Sequence, residues 1–408
     1  MTIDVTRARA ETPGCANVLH FNNAGAALIP QPVLDATTAY LRREAAIGGY
    51  EAADEAEAAV ERVYDAAAAM LNCERDETAV IENATRAWDM VFYALPFAPG
   101  DRILTARSEY SSNVIALLQV AERTGARVEV IPNDRAGAVS IDALRAMLDD
   151  RVKLIAITHV PTNGGLVNPA AAIGAVARSG GIPYLLDACQ SIGQMPIDVE
   201  TIGCDFLSTT GRKYLRGPRG TGLLYVRREW IERLTPPLLD NHAATWIAAD
   251  RFEIRPDARR FENWETYYAG KVGLGVAIDY ALGWGLDSIW ARVRELAGML
   301  RGELTAIPGV MVRDLGTEQC GIVTFTCDGA SADAIVQTLA RQGINVTSSS
   351  RASTLFDMEA RDLDAVVRAS VHYYNDEVEI ARFVDAVGAI ADAAGGARPR
   401  RSCVRAGG

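Results

Sequence analysis

Lysine is the scarcest residue in this 408-residue chain, with three in all, at positions 153, 213 and 271. Arginine supplies the other long basic side chains, so an essential amine has few places to be. Histidine is nearly as rare: the four residues His20, His159, His242 and His372 show no metal-ligand spacing, which speaks against a zinc site. The seven cysteines (15, 73, 189, 204, 320, 327 and 403) are scattered without a CxxC pair. That pattern fits free thiols in a reducing cytoplasm better than a disulfide framework. No apolar run is long enough to span a bilayer, and the opening MTIDVTRARAETPG lacks the apolar core of a secretory signal. A cytoplasmic protein is the expectation. With net charge −11 and pI near 5.0 the chain has no basic face, so nucleic acid and anionic membrane are poor partners. The exception, GGARPRRSCVRAGG at 395–408, carries four arginines among Gly and Pro and reads as a disordered tail. Neither GxGxxG after the first strand nor a P-loop lysine motif occurs, which argues against a nucleotide-binding oxidoreductase.

What is present is an α/β pattern. Short apolar runs at 78–83, 101–106, 127–132, 153–158, 182–187, 205–210 and 221–226 alternate with Ala-rich helical stretches such as 139–150 and 167–179. Seven such strands predict a mostly parallel sheet covered on both faces, with ligands bound beyond the strand ends. After about residue 270 the texture changes. Ile289, Val293, Leu296, Leu300, Leu304 and Ile307 recur at helical spacing. Then come CGIVTFTCDG, a helix at 331–342, VVRASVHYYN and a closing helix near 376–394. The expected organisation is an N-terminal arm (1–20), a large domain (21–270), a small C-terminal α/β domain (271–394) and the tail (395–408).

Within this frame several residues could serve pyridoxal phosphate (PLP) chemistry. That chemistry needs an amine for the imine, a carboxylate at the pyridine nitrogen, an anion pocket and a cation for the substrate carboxylate. Lys213 follows an apolar strand in DFLSTTGRKYLRGPRG, beside Arg212; a neighbouring cation depresses an amine's pKa. Taken alone it reads as a surface turn lysine, and its neighbours overturn that reading. Asp187 closes IPYLLD and Gln190 follows one step on, as pyridine partner and phenolic-oxygen donor, although a strand-terminal Asp is often a helix cap. Ala84 and Thr85 open a helix after a strand in ENATRAWD, a ready anion site or an ordinary cap. Thr210 and Arg212 would add a hydroxyl and a charge. Tyr110 in SEYSSN could stack on the pyridine ring or pack in a core. Arg368 lies within an apolar strand, where it needs a bound carboxylate or an internal ion pair.

The motifs FNNAGAAL, ENATRAWD, SEYSSN, THVPTNGG, DACQ, TGRKYLRGPRGTG and VRASVHYYN occur in that order. With them the chain resembles the class V aminotransferase family of fold-type-I PLP enzymes over about residues 20–390. Relatives include cysteine desulfurases, isopenicillin N epimerase and the carbon–sulfur lyase of ergothioneine biosynthesis. The resemblance implies Lys213 as the Schiff-base lysine, Asp187 and Gln190 at the ring, and Tyr110 stacked on it. It further implies Ala84, Thr85, Thr210 and Arg212 at the phosphate, Thr162 or Asn163 near cofactor and substrate, and Asn23 and Arg368 at the substrate. It also implies a homodimer in which FENWETYYAG (261–270), with Thr266, reaches the partner's phosphate.

Two departures from the desulfurase pattern narrow the reaction. Arg212 stands where desulfurases have histidine, and the stretch INVTSSSRASTLFDMEA (344–360), which matches their persulfide loop, has no cysteine. A persulfide-forming desulfurase is therefore disfavoured. A carbon–sulfur β-lyase acting on an S-substituted cysteine or its sulfoxide is the favoured expectation, with an epimerase or an aminotransferase as alternatives.

Overall fold

The computed structural model describes residues 2–396; from residue 397 on, the expected tail lies outside them. All seven expected strands form. In spatial order they are Thr78–Ile81, Gly222–Val226, Phe206–Thr210, Tyr184–Asp187, Val152–Thr158, Arg102–Ala106 and Arg127–Ile131. Neighbours pair in parallel, except that Gly222–Val226 runs antiparallel to both of its neighbours. The connection 211–221 contains no helix to carry the chain back across the sheet, so the strand must return in the opposite sense. Successive strand residues feed opposite faces: Ile155, Leu186 and Leu207 join one core cluster, Leu154, Leu185 and Phe206 the other. Burial on both faces is why these runs read as continuously apolar.

A second sheet of four antiparallel strands is ordered Val310–Val312, Ile322–Cys327, Ala365–Ser370, Thr347–Ser350. Helix Leu286–Thr305 buries Ile289, Val293, Leu296, Leu300 and Leu304, five of the six periodic residues; Ile307 falls beyond its end. The closing helix is Glu377–Gly396. Helix Tyr268–Trp284 runs through the boundary expected at residue 270 and packs on helices Gln31–Ile47 and Glu57–Leu71. The N-terminal segment is anchored, since Leu19–His20 pairs in parallel with Ile344–Asn345. No helix among the described residues is long and apolar enough to cross a membrane.

Candidate active site

The strand ends at 158, 187 and 210 meet the turn that carries Lys213. One narrow cavity there is lined by Ala84, Thr85, Tyr110, Thr162, Asp187, Gln190 and Lys213, together with Ser112, Asn113, Thr158, Val160 and Cys189. Seven of the residues singled out in the sequence thus share one wall.

The lysine turn is held from two sides. Arg216, at φ +61°, donates to Leu28 O (2.9 Å), Tyr373 Oη (2.6 Å) and Thr12 Oγ1 (2.6 Å) and stacks on Tyr374. The turn after Asp187 presses on it closely: a Cβ on Gly193 (φ +84°) would lie 2.5 Å from Tyr214 O. Lys213 faces the cavity. Burial lowers its pKa, against the pull of Cys189 and Asp187, and Arg212 and Arg368 lower it further. More of the amine is therefore unprotonated near neutral pH than in water.

Asp187 accepts N–H bonds from Cys189 N and Asn113 Nδ2, both at 2.9 Å. It caps no helix, because a short turn follows it. Gln190 donates to Ala24 O at 3.1 Å. In helix Ala84–Phe92 the cap is Asn83, which accepts from Arg86 N at 3.0 Å. Thr85 is thus not the cap, and it lines the cavity. Tyr110 is 39% exposed at the mouth.

Arg368 is buried in the central strand Ala365–Ser370 and donates to Thr162 Oγ1. It forms no ion pair among the described residues, which removes the internal-pair explanation. Burial lowers its pKa, and a carboxylate would restore the favoured charge.

Three expected residues, Thr210, Arg212 and Asn23, bond outside the cavity lining, and Thr266, expected at a partner's phosphate, lies apart from it. Thr210 Oγ1 donates to Thr221 O (3.3 Å), and Arg212 donates to Gly25 O. Thr266 lines a separate groove of about 660 Å³ with Trp264, Tyr267 and Tyr50. Asn23 is fully buried, with Nδ2 donating to Ser370 O (2.7 Å) and Oδ1 accepting from Tyr374 Oη. It ties the N-terminal segment to the small sheet because both of its amide atoms are engaged there. Glu109 and Asn113 behind Asp187 were missed. Their spacing of four was visible in SEYSSN, but the bridge that the Asn113 amide makes between Glu109 and Asp187 was not.

Around the cavity, Gln190 Oε1, Asn163 Oδ1 and Arg368 Nε are buried and have no partner among the described residues. Buried polar groups are nearly always satisfied, so the site is shaped for a polar occupant. An amine, a carboxylate, helix N-terminal amides beside a hydroxyl and an exposed aromatic ring fit PLP at its carbonyl carbon, ring nitrogen, phosphate and ring face.

Comparison with known proteins agrees. The family profile described as aminotransferase class-V matches residues 19–383. A probable cysteine desulfurase of Xylella fastidiosa (strain Temecula1 / ATCC 700964) is 34% identical over 379 residues, covering 91% of this chain and 90% of the relative. The apo structure of a cysteine desulfurase from Thermococcus onnurineus NA1 superposes with TM-score 0.90 at 25% identity, covering 96% of this chain and 99% of that one. The cystine C–S lyase C-DES, solved with its reaction product cysteine persulfide, gives TM-score 0.84 at 26% identity, covering 92% and 99%; another structure of C-DES has glycine covalently linked to the PLP cofactor. The chain belongs to the class-V aminotransferase family of PLP-dependent enzymes, and its cofactor is pyridoxal 5'-phosphate.

Proposed function

We propose that the protein is a carbon–sulfur β-lyase that cleaves the Cβ–S bond of an S-substituted cysteine or its sulfoxide, without carrying sulfur on a cysteine of its own. The supporting observation is the segment next to the cavity wall. Residues 344–360 contain no cysteine. Thr354 within them accepts from Asn163 Nδ2 at 3.0 Å, adjacent to cavity-lining Thr162. Among the described residues only Cys189 lines the cavity, and burial pushes its thiol well up, which makes it a poor sulfur acceptor. Cys320, pushed by burial up to about 12, is no better. The likeness to a cystine C–S lyase supports the same reading.

When bound, PLP supplies an electron sink for the pair left on the α-carbon. In this reading Arg368 binds the α-carboxylate and orients the α-hydrogen toward Lys213. The Lys213 amine takes the proton from Cα. The Cβ–S bond breaks with its electron pair on sulfur, which leaves as a thiol, or as a sulfenic acid from a sulfoxide, after taking up a proton. The three-carbon remainder hydrolyses to pyruvate and ammonia. Asp187 and Gln190 hold the ring, Tyr110 covers it, and Ala84 and Thr85 hold the phosphate. Thr266 is proposed to serve the site of a second copy, since Trp264 and Tyr267 beside it are exposed.

Incubation of the holoenzyme with S-substituted cysteines and their sulfoxides is expected to release pyruvate together with a thiol-type product. Racemisation or keto-acid exchange, with no pyruvate from any of these substrates, would overturn the reading in favour of an epimerase or an aminotransferase.

A further inference from the structure

Behind Asp187 lies a second buried carboxylate that the chemistry above does not use. Glu109 is 2% exposed. Its Oε1 accepts from Tyr110 N (3.0 Å), Asn113 Nδ2 (2.9 Å) and the Thr158 hydroxyl. Its Oε2 accepts from Thr158 N (2.9 Å) and lies 3.2 Å from Thr105 Oγ1. No cation pairs with it among the described residues. The Asn113 Nδ2 that serves Glu109 also donates to Asp187 Oδ2 at 2.9 Å. An amide nitrogen has two protons, so one goes to each carboxylate. The other titratable groups facing the pair are Tyr184 on the strand that ends in Asp187, and Cys189 and Lys213 on the cavity side.

We propose that Glu109 and Asn113 are positioning residues that hold Asp187 as an anion against the pyridine nitrogen of the cofactor, and thereby keep a proton on that nitrogen. Two buried carboxylates bridged by a single amide cannot both carry charge cheaply. Asp187 faces the cavity, where a protonated ring can pair with it; Glu109 faces only neutral donors. Burial pushes Glu109 up and the Asp187 charge adds to this, against the bonds from Thr158, Asn113 and Tyr110 N, while those bonds fix the carboxyl as the acceptor that anchors Asn113. Asn113 then fixes the rotamer of Asp187 and supplies it an N–H bond. This rests on Asp187 meeting the ring nitrogen, and on no choice among lyase, epimerase and aminotransferase.

The test compares wild type, Asn113→Ala and Glu109→Gln, each loaded with PLP or with its 1-deaza analogue, which has carbon in place of the ring nitrogen. In the resting holoenzyme the pH midpoint of the cofactor's visible band is read. Losing positive charge from the ring makes the linked imine hold its proton more tightly, so the midpoint should rise by about one unit in Asn113→Ala with PLP. Glu109→Gln should move it the same way, because an amide nitrogen in place of one carboxyl oxygen cannot accept the bonds that anchor Asn113, and this keeps the test open if the alanine variant folds poorly. Exchange of an amino acid's α-hydrogen in heavy water should slow about tenfold with PLP and less than about twofold with the analogue. An unchanged midpoint in both variants overturns the proposal. Equal effects with both cofactors also overturn it, because they mark a merely structural role. Identical titrations of wild type with the two cofactors would instead sink the placement of Asp187 at the ring nitrogen.

Discussion

The amine and the guanidinium at the ends of the site make the sharpest single-residue expectations. Borohydride reduction of the yellow holoenzyme should fix the cofactor onto one peptide, that containing Lys213. Lys153 is exposed and bonded to Asp150 O, and Lys271 is buried against Glu262 and Tyr64. Peptide mass mapping that finds the label on either of those two would refute the assignment. Arg368 is the harder case, because Lys keeps the charge and loses the planar fork. Arg368→Lys is expected to raise KM for the amino acid about tenfold or more while changing kcat less, since the lost contact is to a carboxylate that is present throughout the reaction. A kcat loss at unchanged KM would mean that Arg368 does not bind the ground-state carboxylate. Both residues stood out in the sequence because each sat against its local texture, one of three lysines in a chain of arginines and a charge inside an apolar strand.

At the scale of elements, the site depends on two turns pressed together. Gly193 has positive φ and no room for a Cβ against Tyr214 O. Gly193→Ala should therefore cost about 2 kcal/mol or more in urea unfolding and weaken cofactor binding, because the Asp187 and Lys213 turns would part. Normal stability with normal cofactor affinity would show that this approach is not needed. The seven strands were legible from their apolar runs. The exposed hairpin Ala244–Ala248 with Arg251–Ile254 was not, because Trp246 and Phe252 on it are exposed and leave no buried periodicity to read. The antiparallel sense of Gly222–Val226 was equally hidden, since a strand buried on both faces reads the same in either direction.

For the molecule as a whole, a buried ionic cluster ties helix Glu57–Leu71 to helix Tyr268–Trp284. Glu262 Oε1 accepts from Tyr64 Oη (2.9 Å) and Val80 N (2.7 Å); Lys271 Nζ lies 3.2 Å from Oε2 and His242 Nε2 lies 3.3 Å from it. Burial alone would raise this carboxyl, but Lys271, His242 and the Val80 N–H outweigh it and hold the group at about 2, against an ordinary 4.5. A depressed folded value means that the stabilisation is present above pH 4.5 and is lost as pH falls toward 2. It amounts to about 3 kcal/mol. Urea midpoints should fall across that window in wild type. Glu262→Gln should be less stable at pH 7 by about 3 kcal/mol, because Lys271 is left buried without its counter-charge, and its profile over the same window should be flatter. Equal slopes for the two proteins would remove Glu262 from the acid response.

The sequence by itself determined the sheet and the cofactor class, because the first follows from apolar periodicity and the second from seven family motifs in order; it put forward Lys213, Asp187 and Arg368 from strand ends and a charge out of place. Only the tertiary structure decided that Arg212 turns to Gly25 and Asn23 to Ser370 and Tyr374, and that Glu109 stands behind Asp187. The reason is physical. A side chain's type limits what it can bond, but its partner is whatever the fold brings within about 3 Å, and Asn113 and Asp187 are 74 residues apart along the chain.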